Sequence, residues 1–162
     1  MINNKIEKAL NDQLMEEYAS SHLYLSTAAY FKSINLDGFA HWMQQQSGEE
    51  MGHAMKFYGY IFEQQGKVTL GGIEKPQSEW ASPLAAFEAA YHHEQKITGL
   101  INNLTNLAIG EKDHATNIFL HWFVTEQVEE EANAIEIIQK LKMVGDSKQG
   151  LLMLDHELGQ RK

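Results

Sequence analysis

The chain has 162 residues, 43% of them hydrophobic, which is enough for one domain with a sizeable core. It contains no cysteine, which excludes disulfides, thiolate metal sites and cysteine nucleophiles; any metal must be a hard or borderline ion such as iron, manganese or zinc, held by oxygen and nitrogen. A net charge of −9 argues against nucleic acid as a partner, and with no apolar run near about 18 residues and no signal-peptide pattern, a soluble, cytoplasmic protein without a membrane partner is expected.

Only two prolines occur, Pro76 and Pro83, so the long stretches on either side of that region can be helical without interruption. Asn4 and Glu7 form a capping-box pattern, and Ile6, Leu10, Leu14, Glu17, Ser21, Tyr24, Ala28 and Phe31 mark one face of a first helix, from about 5 to 32. Ser33 to Gly38 is a short turn that sends a second helix, about 38 to 65, back antiparallel, with Gly66 to stop it. Its seam reads Phe39, Trp42, Met43, Gln46, Glu50, His53, Phe57, Tyr60 and Ile61.

A connection of about 17 residues then runs from Gly66 to Ser82; fully extended it reaches roughly 55 Å, more than the roughly 42 Å of the second helix. It can therefore cross the whole bundle and start the third helix parallel to the second. Ser82-Pro83 opens that helix, whose seam carries Phe87, Tyr91, Glu94, Ile97, Ile101, Leu104 and Ala108 before Gly110. Asp113 caps a fourth helix with Phe119, Phe123, Glu126, Gln127, Glu130, Ala134, Ile137 and Leu141, ending at Gly145. The Asp146-x-x-Gln149 pattern opens a short fifth helix, about 147 to 159, whose Leu151, Leu152, Leu154 and Leu158 would stay partly exposed on a monomer and suggest a partner subunit. The expectation is one all-α domain over 1–162: a four-helix bundle (5–143) with a long crossover between helices 2 and 3 and a short C-terminal helix.

Each long helix carries one carboxylate near its middle in a seam position: Glu17, Glu50, Glu94 and Glu130. His53, three residues after Glu50, shares its face, and Gln127 joins from the fourth helix. Buried carboxylates need compensation, the seam offers no Lys or Arg, and two divalent cations would balance the set, which describes a dinuclear site. Glu49, Glu126 and Glu129 flank it and, with Glu130, can form a third, more exposed cation site, or else simply a solvated face. Tyr24, two turns after Glu17, can hydrogen-bond a ligand, give up an electron, or pack in the core. Trp122 reads as core. Glu111-x-x-His114 repeats the Glu-x-x-His spacing at a turn without matching carboxylates, and His22, His41, His92, His93, His121 and His156 read as surface or packing residues.

On Glu17, Tyr24, the Glu49-Glu50-Met51-Gly52-His53 run, Glu94 and Glu126-Gln127-Val128-Glu129-Glu130, the whole chain resembles the ferritins, specifically the non-haem bacterial ones. The resemblance implies a ferritin-like bundle, a homo-oligomeric shell of 24 subunits, and a ferroxidase that oxidises Fe(II) with dioxygen or hydrogen peroxide and stores a hydrated ferric oxide. It implies that Glu17, Glu50 and His53 hold a first iron, that Glu50 bridges to a second held by Glu94 and Glu130, and that Gln127 orients water or dioxygen. It further assigns Glu49, Glu126, Glu129 and Glu130 to a third iron. Haem is not expected, because haem-binding relatives carry a second Glu-x-x-His where this chain reads Gln127-Val128-Glu129-Glu130. Asn117 and Leu120 stand where animal ferritins have an acidic channel, and Gly52 and Met55 where they can have mineral-nucleating glutamates. Two other readings stay open: a small di-iron or di-manganese oxidase or peroxide scavenger on the same bundle, and a metal-free helical interaction protein.

Overall fold

The computed structural model describes residues 2–162, which form five α-helices and, among those residues, no strand. α1 (Asn4–Ser33) is capped by Asn3 rather than the expected Asn4: the Asn3 Oδ1 accepts from the Ile6 amide at 2.9 Å. Glu7 has other work, accepting from the Lys67 amide at 3.1 Å, so no capping box closes. α2 (Asp37–Glu63) returns antiparallel after a turn in which Asn35 takes φ 61°, a conformation asparagine tolerates. It stops two residues before the expected end. Gln65, not glycine, adopts the left-handed turn (φ 60°), with the Gly66 amide donating to the Ile61 carbonyl at 2.8 Å. Gly66 instead sits in a tight spot, where a Cβ would lie 3.0 Å from side-chain atoms of Glu7 and Ile61 that would have to shift by a few tenths of an ångström.

The crossover lies along α1. Asn11 clamps its start: the side-chain amide donates to the Lys67 carbonyl at 2.9 Å and accepts from the Thr69 amide at 2.7 Å, while Ser26 Oγ donates to the Gln77 carbonyl at 2.7 Å further along. From Asn11 to Ser26 the helix advances roughly 22 Å. The connection thus returns to the end where α2 began, and α3 (Pro83–Gly110) starts parallel to α2, capped by Ser82. Asn11→Ala would strand two crossover backbone groups; a loss of about 1–3 kcal/mol is expected in chemical denaturation, and unchanged stability would show that water replaces the clamp. α4 (His114–Val144) is capped by Asp113, as expected, and ends at Gly145 with φ 54°. α1 pairs with α2 and α3 with α4.

α5 (Lys148–Leu158) is opened by Ser147, whose Oγ accepts from the Gly150 amide at 3.0 Å, rather than by Asp146. It folds back on its own bundle. Leu154 and Leu158 are buried, against the expectation that all four leucines stay partly exposed; Leu151 is partly buried against the same cluster, and Leu152 and Met153 point outward. Two features seat it. Asp155 Oδ1 accepts from the Phe39 amide at 3.0 Å, capping α2 from outside, where Leu36 offers no side-chain cap. At Gly38 an added Cβ would fall 1.6 Å from the Asp155 carbonyl oxygen, an approach only glycine permits. Gly38→Ala is expected to cost about 1–3 kcal/mol and to expose Lys148 to trypsin; unaltered cleavage would mean that the leucines alone hold α5.

The core divides in two. Phe31, Phe39, Phe87, Met43 and Leu141 belong to one apolar cluster, and Ile6, Leu10, Phe57, Ile97, Ile101 and Leu120 to the other. Between them lies a layer of buried polar residues from all four long helices: Glu17, Ser21, Gln46, Ser47, Glu50, His53, Glu94, Gln127 and Glu130. No helix among the described residues is long and apolar enough to cross a membrane.

Candidate metal centre

That layer gathers three sets of ligands, each with donor atoms within 4.8 Å of one another: Glu17, Glu50 and His53; Glu50, Glu94 and Glu130; and His53, Glu126 and Glu130. Glu50 belongs to the first two. Its Oε2 lies 3.1 Å from His53 Nδ1, while its Oε1 accepts from Gln46 Nε2 at 2.9 Å. Helical periodicity explains the convergence: each carboxylate replaces an apolar seam residue at the same depth of its helix.

Burial dominates the electrostatics. It raises the carboxyls of Glu17, Glu50 and Glu130 to about 8, with neighbouring carboxylates adding to the effect. Burial also raises Glu94, against the hydrogen bonds of Tyr24 and Gln127. The Tyr24 hydroxyl, itself pushed well above its ordinary range by burial and then by Glu94, remains protonated and donates to Glu94 Oε1. Gln127 Nε2 donates to Glu94 Oε2 at 3.1 Å and to the Glu94 carbonyl at 3.2 Å, so both residues orient Glu94.

Glu17 Oε2 is buried with no hydrogen-bond partner, and His53 Nδ1 stands 3.9 Å away. An orphaned carboxylate oxygen facing an imidazole is what a hard cation would satisfy, and the oxygen-rich donor set fits iron or manganese.

The flanking glutamates divide. Glu126 Oε1 reaches to 3.7 Å from His53 Nε2. Glu49 and Glu129 are exposed and in none of the three sets, and Glu49 pairs with Arg161 at 2.7 Å. Trp122 is not core: 39% exposed, it sets its edge against His53 with ring centroids 5.3 Å apart and carries the Lys56 ammonium over its face. His93 is more than a surface residue. Partly buried, it bonds Ser20 Oγ at 2.7 Å and stands edge-on to Tyr24, and burial lowers its imidazole to about 4. Glu111 pairs with Lys5 at 2.8 Å, and His114 is exposed beside it.

Two glutamines were legible only as seam or helix residues. Gln13 donates to Glu17 Oε1 at 2.8 Å, and Gln46 donates to Glu50. Each stands four residues before its glutamate, one turn away on the same face, and that repeated Gln-x-x-x-Glu spacing was the available signal.

Carboxylates and a histidine converging from all four helices define a helical bundle whose polar core could hold metal. The ferritin-like domain profile matches residues 7–144. A bacterial non-heme ferritin of Bacteroides fragilis is 44% identical over 161 residues, covering 99% of this chain and all of that one, and a Staphylococcus aureus bacterial non-heme ferritin is 37% identical over 99% and 97%. The open pore ferritin of the hyperthermophilic archaeon Archaeoglobus fulgidus superposes with a TM-score of 0.99 at 50% identity, over 100% of this chain and 99% of that one. The chain belongs to the ferritin family, with the non-haem bacterial ferritins, a family of iron-storage proteins.

Proposed function

We propose that the protein is a ferroxidase that oxidises Fe(II) at the polar layer and stores the product as a ferric oxide mineral inside a closed shell of 24 subunits. The observation that carries this reading is Glu50, which belongs to two adjacent ligand sets at once. Glu17, Glu50 and His53 would hold one iron and Glu50, Glu94 and Glu130 the second, with Glu50 common to both. Two Fe(II) bound side by side supply one electron each, which with two protons takes dioxygen to hydrogen peroxide. The chain's own share is charge and position. The carboxyls of Glu17, Glu50, Glu94 and Glu130 give up protons as iron arrives, and carboxylate donors favour Fe(III) over Fe(II). Tyr24 and Gln127 hold Glu94 in place, and the two apolar clusters keep bulk water out.

His53, Glu126 and Glu130 support a further, more exposed cation position; Glu49 and Glu129, exposed in the subunit, lie outside it. The outward Leu152 and Met153 of α5 are available for contacts between subunits. The test is size-exclusion chromatography with light scattering, followed by aerobic Fe(II) addition. A particle of 24 chains of 18.4 kDa that oxidises many irons per chain and keeps them soluble is expected. A monomer or dimer that stops at two irons per chain would replace storage by the small di-iron oxidase reading.

A further inference from the structure

The polar layer has a cation of its own that comes from far along the chain. Arg161, next to the last residue, reaches back across α2, and its two terminal nitrogens make three contacts. Nη1 donates to the Trp42 carbonyl at 3.2 Å, and Nη2 donates to Gln46 Oε1 at 3.0 Å and to Glu49 Oε2 at 2.7 Å. The guanidinium lies 4.2 Å over the Trp42 ring. The backbone is pinned as well: His41 Nε2 is 2.6 Å from the Arg161 carbonyl oxygen, which it meets as a donor. The docking of α5 through Gly38 and Asp155 is what delivers the arm to this spot.

A guanidinium has only donors, so the Gln46 side chain must present its oxygen to Arg161. That orientation turns the amide nitrogen inward, where its two hydrogens are shared between Glu50 Oε1 at 2.9 Å and Glu130 Oε2 at 2.7 Å. With the amide reversed, an oxygen would face two carboxyl oxygens. Gln46 is buried, and both ends of its amide are held by protein partners. Glu50 and Glu130 come from different helices and both belong to the ligand set with Glu94.

We propose that Arg161 is a positioning residue of the second iron site: by fixing the Gln46 amide it holds Glu50 and Glu130 at the spacing that iron requires. The inference rests on the ferroxidase reading above. Arg161 touches none of the residues that would hold the two irons, Glu17, Glu50, His53, Glu94 and Glu130, and reaches them only through Gln46. The first iron site is less dependent on it, because of its three residues only Glu50 is bonded to Gln46, while Glu17 and His53 make no hydrogen bond with Gln46 or Arg161.

The test is calorimetric titration of the intact, assembled protein with Co(II), which binds without the oxidation that Fe(II) undergoes in air, together with the visible absorption of bound Co(II), which reports ligand geometry. Arg161→Met keeps an apolar side chain of similar length and removes the donors. It is expected to weaken one of two binding steps about 10-fold, within the range for loss of an outer-shell partner, to leave the other step within about twofold, and to shift the Co(II) spectrum. Gln46→Leu is expected to show the same loss, and Gln46→Leu combined with Arg161→Met no more than Gln46→Leu alone, because the two act in series. Two unaltered binding steps in Arg161→Met, or losses that multiply in the double variant, would overturn the role of Arg161. Wild-type protein that takes up no Co(II) would overturn the ferroxidase reading, and this inference with it. Size-exclusion chromatography of each variant checks that the particle persists; should Arg161→Met fail to assemble, Gln46→Leu with an unchanged second step would by itself overturn the proposal.

Discussion

Glu50→Gln is expected to slow the fast phase of Fe(II) oxidation by at least about 100-fold while leaving the fold intact. The size follows from the place of Glu50 in two ligand sets at once: losing its charge weakens both, whereas loss of an outer-shell group alone costs about 10–100-fold in metal affinity or activity. Stability should hardly change. The free carboxyl is raised to about 8, so near neutral pH it is mostly protonated, and a glutamine amide copies its shape and its ability to donate. Stopped-flow absorbance of the ferric product, alongside thermal melting, separates the two effects. A variant that keeps the fast phase would remove Glu50 from the centre, and one that fails to fold would show that the residue serves structure first.

The second large effect is in pH. Glu17, Glu50 and Glu130, raised by burial from 4.5 to about 8, hold protons near neutrality that a cation must displace. Metal affinity therefore rises with pH up to about 8, by about tenfold per pH unit for each proton displaced, and levels off above it. Titrating Co(II) at pH 7 in two buffers of different ionisation heat should reveal more than one proton released per subunit, and far fewer at pH 9. Absence of release at pH 7 would mean that these carboxyls are already ionised in the free protein.

The stability of the metal-free protein runs the opposite way. The folded state binds protons that the unfolded chain has already lost above about 4.5. The contribution of these groups is fully present below that pH and disappears as pH rises through about 8. Chelator-treated protein should melt at a higher temperature at pH 6 than at pH 8.5, and added Co(II) should reverse the order.

Most of the architecture was legible along the chain because each part of it is a local or periodic property. Two prolines in one region, seam residues at steps of three and four, and the caps Ser82, Asp113 and Gly145 define the long helices to within a few residues. Where an end was misread, a neighbouring residue could do the same job: Asn3 for Asn4, Ser147 for Asp146, and Gln65 for glycine in the left-handed turn. The core carboxylates were legible for the same reason, since a charge in an apolar seam is an anomaly visible without coordinates.

The chain by itself determined four long helices, a crossover able to span them, and one carboxylate per helix at a common depth, because helical periodicity turns spacing into facing. The tertiary structure alone decided which groups surround those carboxylates. Gly38 lets α5 approach α2 closely, Asp155 caps α2 from 116 positions away, and Asn11 ties down the crossover at Lys67, 56 positions later. Arg161 reaches the edge of that layer from 115 positions away and donates to the glutamine it orients. No local pattern marks such contacts: their partners are set by how the helices pack, and packing brings together residues whose separation along the chain carries no signal.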